Sequence, residues 1–218
     1  MPYVYGEVEI SWLGHDSFYV KYSDKRIYFD PFKIKPKDKA THIFISHEHF
    51  DHLSIDDLRK ITASDTNIIA AEPCRKQLSS LQTGLLKYVK PGDKLEISGV
   101  NVEVVPAYNI NKFREPGVVY HPKTAGGVGY LVEVGGVRIY HTGDTDFIPE
   151  MKNLVVDIAL IPVSGTFVMT AEEAAQAVNE FKPKIAIPMH YGAIVGSMKD
   201  VEEFKKKAKV EVVVLQKE

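Results

Sequence analysis

The chain has 218 residues, of which 44% are hydrophobic and 26% are charged, and this balance is typical of a soluble globular protein. It excludes a collagen, a disordered tail and a disulfide-bonded scaffold. The net charge of −2 gives no general attraction to nucleic acid or to an anionic membrane, so any binding of anions must be local.

Short apolar patterns divided by turns make up the first half of the chain. In chain order they predict strands around Val8, Ile10 and Trp12, over Ser17 to Tyr22, Lys25 to Phe29, Thr41 to Ser46 and Asn67 to Ala71, and within Leu85 to Pro106. Helices are predicted over Ile55 to Lys60, where Ser54 can cap the first turn, and over Pro73 to Gln82.

The second half repeats this alternation of strands and helices. Strands are predicted over Val128 to Val134, Val137 to His141, Asp157 to Pro162, Lys184 to Pro188 and Val210 to Leu215. One helix begins after Thr170, which can form a capping box with Glu173, and another contains Val201, Phe204 and Ala208. The pattern predicts an α/β fold in which two mixed β-sheets lie face to face with helices outside, in a single domain over residues 1–218.

Cysteine content and the lengths of the apolar stretches indicate where the protein is located. Cys74 is the only cysteine, so an intramolecular disulfide is impossible. The N-terminal residues do not have the pattern of a signal peptide, and no stretch approaches the roughly 18 apolar residues of a membrane helix. We therefore expect a cytoplasmic protein with no membrane span, whose oligomeric state the sequence does not indicate.

The segment from Ala107 to Gly127 interrupts the regular pattern with repeated Asn, Pro and Gly residues, so we expect no regular element in it. Loops of this length inside a compact domain are usually functional or disordered. The segment contains Lys112, Arg114, His121 and Lys123, which favour a functional loop. We expect the three cations to contact a phosphate-bearing substrate, and a solvated loop is the alternative.

A string of metal-binding residue types follows the strand that ends at Ser46. It reads His47-Glu48-His49-Phe50-Asp51-His52. His47 and His49 lie two apart on an extended backbone, so they project to the same side and can chelate one metal ion. Asp51 and His52 are adjacent at the turn into a helix and can diverge toward a second ion. A divalent cation satisfies these crowded groups better than the alternative, a solvated polar turn.

Two later motifs supply further candidate ligands at the ends of strands. Asp144 follows an apolar strand and Gly143, which allows a sharp turn, so it is the candidate for a carboxylate that bridges two ions. His190 likewise lies at the end of a strand, before the turn at Gly192. Either residue alone could be a structural turn residue, whereas together with the histidine string they indicate ligands.

With these residues assembled, the sequence resembles the metallo-β-lactamase superfamily. It is most similar to the branch of small zinc-dependent hydrolases that includes L-ascorbate-6-phosphate lactonase-like proteins and N-acylphosphatidylethanolamine phospholipase D. The motifs that carry the resemblance are Trp12-Leu13-Gly14-His15, Asp30-Pro31-Phe32, the histidine string, Thr142-Gly143-Asp144-Thr145 and Pro188-Met189-His190-Tyr191-Gly192. The resemblance implies a four-layer αβ/βα sandwich with two metal ions at one edge, between the sheets.

The resemblance also implies which residues hold each ion. His47, His49 and a loop histidine would hold the first ion, and Asp51, His52 and His190 the second, with Asp144 bridging. Relatives in this branch often place the loop histidine directly after a Pro-Ala pair, but here Pro106-Ala107 is followed by Tyr108-Asn109. We assign His121 to this place, and Asn109 or an open coordination position is the alternative.

Other polar residues near these motifs are candidates for supporting roles. His15 resembles a family position near the mouth of the site, where it could contact substrate or support a ligand, or simply form a turn. Asp30 could accept a hydrogen bond from a ligating imidazole. His42 and His141 occupy strand positions and are expected to support ligands or pack in the core.

Two divalent ions would lower the pKa of bound water toward ~7 and present a metal-bound hydroxide as the nucleophile. We therefore expect a metal-dependent hydrolase that acts on a small anionic ester, phosphodiester or lactone, with Asp51 and His15 as candidate catalytic residues. Zn²⁺ is the expected ion, although Mn²⁺ and Fe²⁺ suit the same ligands. The alternatives are a non-catalytic or regulatory metal-binding protein of the same fold, and a nuclease.

Overall fold

The computed structural model describes all 218 residues. The strands are β1 Tyr3–Tyr5, β2 Val8–Gly14, β3 Ser17–Tyr22, β4 Lys25–Phe29, β5 His42–Ile45, β6 Asn67–Ala71, β7 Leu85–Val89, β8 Lys94–Ile97, β9 Val100–Pro106, β10 Phe113–Glu115, β11 Val118–Val119, β12 Val128–Val134, β13 Val137–His141, β14 Ile158–Pro162, β15 Ile185–Met189 and β16 Glu211–Val212. The helices are α1 Ile55–Ile61, α2 Arg75–Leu78, α3 Ala171–Phe181 and α4 Met198–Lys207.

Fourteen of the strands form two sheets of seven strands each, and β10 and β11 form a separate hairpin. In the first sheet β1 to β7 follow one another in chain order; β1 to β4 pair antiparallel, and β4 to β7 pair parallel. The second sheet has the order β16-β15-β14-β13-β12-β9-β8, parallel from β16 to β13 and antiparallel from β13 to β8. The predicted pair of mixed sheets flanked by helices is confirmed.

The burial of each strand follows its place in these sheets. The parallel strands β5, β14 and β15 are buried along their whole length, as expected for strands covered on both faces. The antiparallel strand β9 instead alternates between buried and more accessible residues over most of its length. A single core of 61 buried residues runs through both sheets. The hydroxyl of Tyr130 in β12 joins the sheets by donating to the backbone oxygen of Ile45 in β5, at 2.8 Å.

The helix and strand boundaries test the sequence patterns directly. The predicted bounds of β3, β4, β6, β12 and β13 are confirmed to the residue. The capping box at the start of α3 is also confirmed, since the Thr170 side chain accepts from the backbone of Glu173 and the Glu173 side chain accepts from the backbone of Thr170.

Three expectations about secondary structure are wrong. The helix over Pro73 to Gln82 is only a 3₁₀ turn followed by the four-residue α2, and its continuation fails where the Ser79 hydroxyl bonds back to a carbonyl of the preceding turn. The last strand shrinks to the two residues of β16, because the chain then leaves the sheet edge and Glu218 pairs with the backbone of Trp12. The loop from Ala107 to Gly127 contains the β10–β11 hairpin and a further 3₁₀ turn.

The fold brings the turns that follow four strands to one edge, between the two sheets. His15 and Asp16 follow β2, and the histidine string follows β5. Asp144 follows β13, and His190 follows β15. None of the four helices has the length and apolar character needed to cross a lipid bilayer.

Candidate metal centre

The turns at this edge hold backbone conformations that favour glycine. Gly143 has a φ of 62°, and a side chain there would meet the backbone oxygen of Val128 at 2.7 Å, so only glycine fits directly before Asp144. His15, Asp30 and His190 adopt positive φ values of 52°, 40° and 59° although they carry side chains. Such conformations cost energy and concentrate at functional sites, where the surrounding structure holds them in place.

The candidate ligands form three overlapping groups. Within each group, one ligand atom of every residue lies within 4.8 Å of the others. The groups are the three-histidine cluster of His47, His49 and His121, the Asp144 cluster of His47, His52 and Asp144, and the Asp16 cluster of His15, Asp16, His52 and His190. Because His47 and His52 each belong to two groups, the three groups form one continuous centre.

The three-histidine cluster has the spacing of a metal site. Nδ1 of His49 lies 3.0 Å from Nε2 of His47 and 3.2 Å from Nε2 of His121. Nitrogen ligands 2.0–2.1 Å from a tetrahedral zinc ion are about 3.3 Å apart, so these separations suit a shared cation. Burial lowers the pKa of His121, and burial together with the neighbouring His52 lowers the pKa of His47. Both imidazoles are therefore held in the neutral form that binds metal.

Asp144 presents its two carboxylate oxygens to histidines on both sides of the centre. Oδ1 lies 3.3 Å from Nε2 of His52, while Oδ2 lies 3.4 Å from Nε2 of His121 and 3.5 Å from Nε2 of His190. Burial alone would raise the pKa of Asp144, but His52 and His190 hold it well below its usual value. The carboxylate is thus ionised and faces all three clusters.

The carboxylates also act on the histidines that surround them. Burial would lower the pKa of His190, but Asp144 and Asp16 raise it to about 9. In the same way burial would lower the pKa of His52, and Asp144 and Asp30 raise it well above its usual value. These buried carboxylates therefore create a strong local demand for positive charge, which a divalent cation meets.

Several buried polar atoms in the centre make no hydrogen bond. They are Nδ1 of His15, Nε2 of His52, Nε2 of His190, Oδ1 of Asp144 and both carboxylate oxygens of Asp16. Buried polar atoms without partners are rare, since each costs about 1–3 kcal/mol. Their concentration at one point, on residue types that bind metal, shows that this donor set fits a cation.

Other side chains hold the imidazoles of the candidate ligands in orientation. Asp30 Oδ2 accepts from Nδ1 of His52 at 2.8 Å, which directs Nε2 into the centre and agrees with the expected role of Asp30. Asn109 Oδ1 likewise accepts from Nδ1 of His121 at 3.0 Å. Asn109 therefore lies behind His121, and it is the His121 ring that reaches the three-histidine cluster.

The proposed catalytic residues Asp51 and His15 form a pair. Oδ2 of Asp51 lies 3.1 Å from Nε2 of His15. Burial would raise the pKa of Asp51, but its hydrogen bond with His15 and the nearby His52 lower it. Asp51 belongs to none of the three clusters, although it lines the same opening as Asp144. Its role as a ligand stays a prediction.

The three cations of the long loop occupy different surroundings. Arg114 lines a cavity of about 210 Å³ together with His47, His49, His121 and Asp144, and its only ion pair is a longer one of 3.7 Å with the adjacent Glu115. Lys112 forms closer ion pairs with Glu173 at 2.7 Å and Asp146 at 3.3 Å, and Lys123 pairs with Glu150 at 2.7 Å. The structure therefore places only Arg114 among the metal-binding groups, while the two lysines tie the loop to neighbouring acids.

An apolar rim borders the other side of the centre. Phe50, Tyr120 and Phe167 line an opening of about 290 Å³ that also contains His121 and Asp144. Phe50 is 68% exposed, which is unusual for a large aromatic side chain. Tyr120 and Phe167 support each other edge to face, with ring centroids 4.6 Å apart.

Sequence reasoning missed Asp16 and the supporting role of Asn109. The available signal for Asp16 was its position next to His15 in a tight turn between two apolar strands. His42 and His141 behave as expected for buried supporting residues. Nε2 of His42 pairs with the backbone oxygen of Ile97, and Nε2 of His141 pairs with that of Asp16, which holds the turn that carries Asp16.

Comparison with known proteins agrees with this architecture. The sequence model of the beta-lactamase superfamily domain matches residues 9–190. The chain belongs to the metallo-β-lactamase superfamily. A UPF0173 metal-dependent hydrolase of Carboxydothermus hydrogenoformans is 34% identical over 215 residues, which cover 93% of this chain and 92% of the relative. A UPF0173 metal-dependent hydrolase of Thermococcus onnurineus is 33% identical, with 95% and 96% covered.

Solved structures share the fold over nearly the whole chain. The crystal structure of a Parabacteroides distasonis protein superposes with a TM-score of 0.83 at 37% identity, covering 96% of this chain and 94% of that protein. Igni18, a metallo hydrolase of Ignicoccus hospitalis, superposes with a TM-score of 0.74 at 21% identity, covering 96% and 95%. The relatives and the fold together place the chain among the metal-dependent hydrolases of this superfamily.

Proposed function

We propose that the protein hydrolyses a small anionic ester, phosphodiester or lactone at a centre that holds two divalent ions. The observation that carries the proposal is the convergence of buried, unpartnered ligand atoms of His52, His190 and Asp144 directly beside the three-histidine cluster. In this proposal the three-histidine cluster holds the first ion. His52, His190 and Asp51 hold the second, and Asp144 bridges.

The chemistry follows from the charges at this edge of the sheets. When bound, two divalent ions lower the pKa of a coordinated water and offset negative charge on the attacked group. Asp51 and His15, 3.1 Å apart, supply a carboxylate and an imidazole that can accept and hold a proton beside the centre. The histidine-rich ligand set suits Zn²⁺, with Mn²⁺ and Fe²⁺ as alternatives.

The surroundings of the centre support a substrate with two different parts. The Arg114 guanidinium lies on the side of the 210 Å³ cavity and can bind an anionic group. Phe50, Tyr120 and Phe167 lie on the other side and can cover an acyl or aryl group. Both spaces are small, and the net charge is −2, which favours a small substrate over a nucleic acid.

The test is hydrolysis by protein that has been stripped with a chelator and reloaded with Zn²⁺ or Mn²⁺. Bis(p-nitrophenyl) phosphate, p-nitrophenyl esters and simple lactones form the substrate panel. We expect turnover that requires added metal and is lost in Asp144→Asn. Absence of turnover across the panel, or full activity of Asp144→Asn, would contradict the proposal.

The loop cations offer a matched pair of variants. Arg114→Ala should raise the KM for anionic substrates, because this guanidinium lines the cavity. Lys123→Ala removes the same charge from the same loop, but its ammonium is already paired with Glu150, so its KM should match that of the wild type. Equal effects of the two substitutions would show that Arg114 does not bind the substrate.

The second candidate is a non-catalytic or regulatory metal-binding protein of the same fold. Its motivation was Asn109 in the place of the usual loop histidine, and the position of His121 against His49 favours the catalytic proposal instead. A protein that binds metal and yet hydrolyses no substrate of the panel would support this second candidate.

We also propose a cytoplasmic location, in keeping with the free, buried thiol of Cys74.

A further inference from the structure

Asp16 is a buried carboxylate with no hydrogen-bond donor. It lies in the turn between β2 and β3, its exposure is 0%, and neither of its oxygens has a partner. Burying a carboxylate in this way is costly unless a cation balances it. Asp30, another acid buried beside His52, shows the contrast, because its carboxylate accepts from Ser46 N, Ser46 Oγ and His52 Nδ1.

The groups that face Asp16 are all candidate metal ligands. Its Oδ2 lies 3.5 Å from Nε2 of His52, and one of its oxygens lies within 4.8 Å of ligand nitrogens of His15, His52 and His190. No lysine or arginine forms an ion pair with it. Nε2 of His52 and Nε2 of His190 are themselves buried without partners. Unpartnered ligand atoms of an acid and of two imidazoles thus surround the same point.

Asp51, the acid assigned to the second ion, occupies a different position. Its carboxylate is held by His15 at 3.1 Å, and it belongs to none of the groups whose ligand atoms lie mutually within 4.8 Å. Asp16 does belong to such a group, together with His52 and His190. The backbone oxygen of Asp16 is bonded to His141, which fixes the turn and leaves the side chain directed at the two imidazoles.

We infer that Asp16 is a further carboxylate ligand of the second divalent ion, together with His52 and His190. The inference rests on the proposed dinuclear centre and adds a ligand to it. The two positions would then differ chemically, because the first would have three imidazoles and the bridging Asp144, whereas the second would add the carboxylates of Asp16 and Asp51 to Asp144 and two imidazoles. Imidazole suits Zn²⁺ and carboxylate oxygen suits Mn²⁺, so the second position should accept Mn²⁺ more readily than the first.

The test compares metal binding by wild type, Asp16→Asn and His49→Ala, each stripped with a chelator. Zn²⁺ and Mn²⁺ are titrated separately, with bound metal measured by elemental analysis after gel filtration and Mn²⁺ also followed by electron paramagnetic resonance. We expect about two ions per wild-type chain and about one for Asp16→Asn, with second-ion affinity reduced by more than the roughly 10- to 100-fold that follows loss of a residue merely supporting a ligand. His49→Ala should lose the first ion and keep the Mn²⁺ signal of the second.

The outcomes separate this inference from the proposed function. If the wild type binds two ions and Asp16→Asn binds both with wild-type affinity, Asp16 is not a ligand, and the proposed function stands. If the wild type binds no metal, both fail. Asp16→Ser removes the carboxylate with a smaller side chain and serves as a second variant, with the metal-induced rise in Tm as its readout. A rise equal to that of the wild type overturns the inference.

Discussion

Asp30→Asn is the sharpest test of how this centre is organised, because it changes one oxygen to nitrogen behind a ligand. Asp30 has a φ of 40°, a left-handed conformation that asparagine adopts readily, so the backbone should remain in place. The carboxylate accepts three hydrogen bonds. Oδ1 accepts from Ser46 N at 2.7 Å, and Oδ2 accepts from Ser46 Oγ at 2.5 Å and from His52 Nδ1 at 2.8 Å.

An amide cannot accept all three of these hydrogen bonds. If its oxygen stays on Ser46 N, its NH₂ group faces His52 Nδ1, and the His52 proton must move to Nε2. A neutral His52 would then carry its proton on Nε2, the nitrogen that lies 3.3 Å from Asp144 and must be free of a proton to bind a metal ion. Losing such a supporting partner lowers metal affinity about 10- to 100-fold. At about 1.4 kcal/mol for each factor of ten, the loss is about 1.4–2.8 kcal/mol of binding free energy.

The assay is competition with a chromophoric chelator, which yields the dissociation constant of Zn²⁺ for wild type and variant. Asp57→Asn is the matched control, because Asp57 is also a nearly buried carboxylate with hydrogen bonds, from Lys33 N and Lys60 Nζ, but lies at the start of α1, outside the three clusters. Wild-type zinc affinity in Asp30→Asn would refute the argument that this carboxylate orients His52.

Three further substitutions test the fold around the centre. Gly143→Ala should lower the free energy of unfolding by at least ~1–2 kcal/mol, because glycine has a φ of 62° there and the added carbon would lie 2.7 Å from a backbone oxygen. The assay is urea unfolding, and a free energy of unfolding equal to that of the wild type would contradict this prediction. Tyr130→Phe should cost about 0.5–1.5 kcal/mol in the same assay by removing the hydrogen bond to the Ile45 carbonyl, with unchanged zinc affinity. Burial would raise the pKa of Asp57, but Lys60 and the capping hydroxyl lower it below 3.8, so its ionised form stabilises the fold at neutral pH. This contribution is lost as the pH falls through the lowered pKa, so the free energies of unfolding of Asp57→Asn and wild type should converge at acid pH. A difference between the two proteins that is the same at neutral and at acid pH would contradict this prediction.

The strands and the histidine string were predictable because their signals are local. Alternating or continuous apolar residues place β3, β4, β12 and β13 correctly, since successive side chains of a strand point to opposite faces of the sheet. His47 and His49 lie two apart after β5, so their convergence also follows from local geometry. The predicted helix around α2 was too long because the apolar pattern does not show that the Ser79 hydroxyl bonds to a backbone carbonyl of the preceding turn and competes with helix continuation.

The composition of the centre beyond that string depended on contacts between distant residues. His121 meets His49 across 72 positions of sequence, and only the closure of the long loop decides that this ring, and not Asn109, enters the cluster. Lys112 is paired with Glu173 across 61 positions, which no local pattern shows. The amino-acid order thus specifies which chemical groups are available and on which turns they lie. Which of them face each other is set by the packing of one sheet against the other, because burial and pairing depend on neighbours that the linear chain keeps far apart.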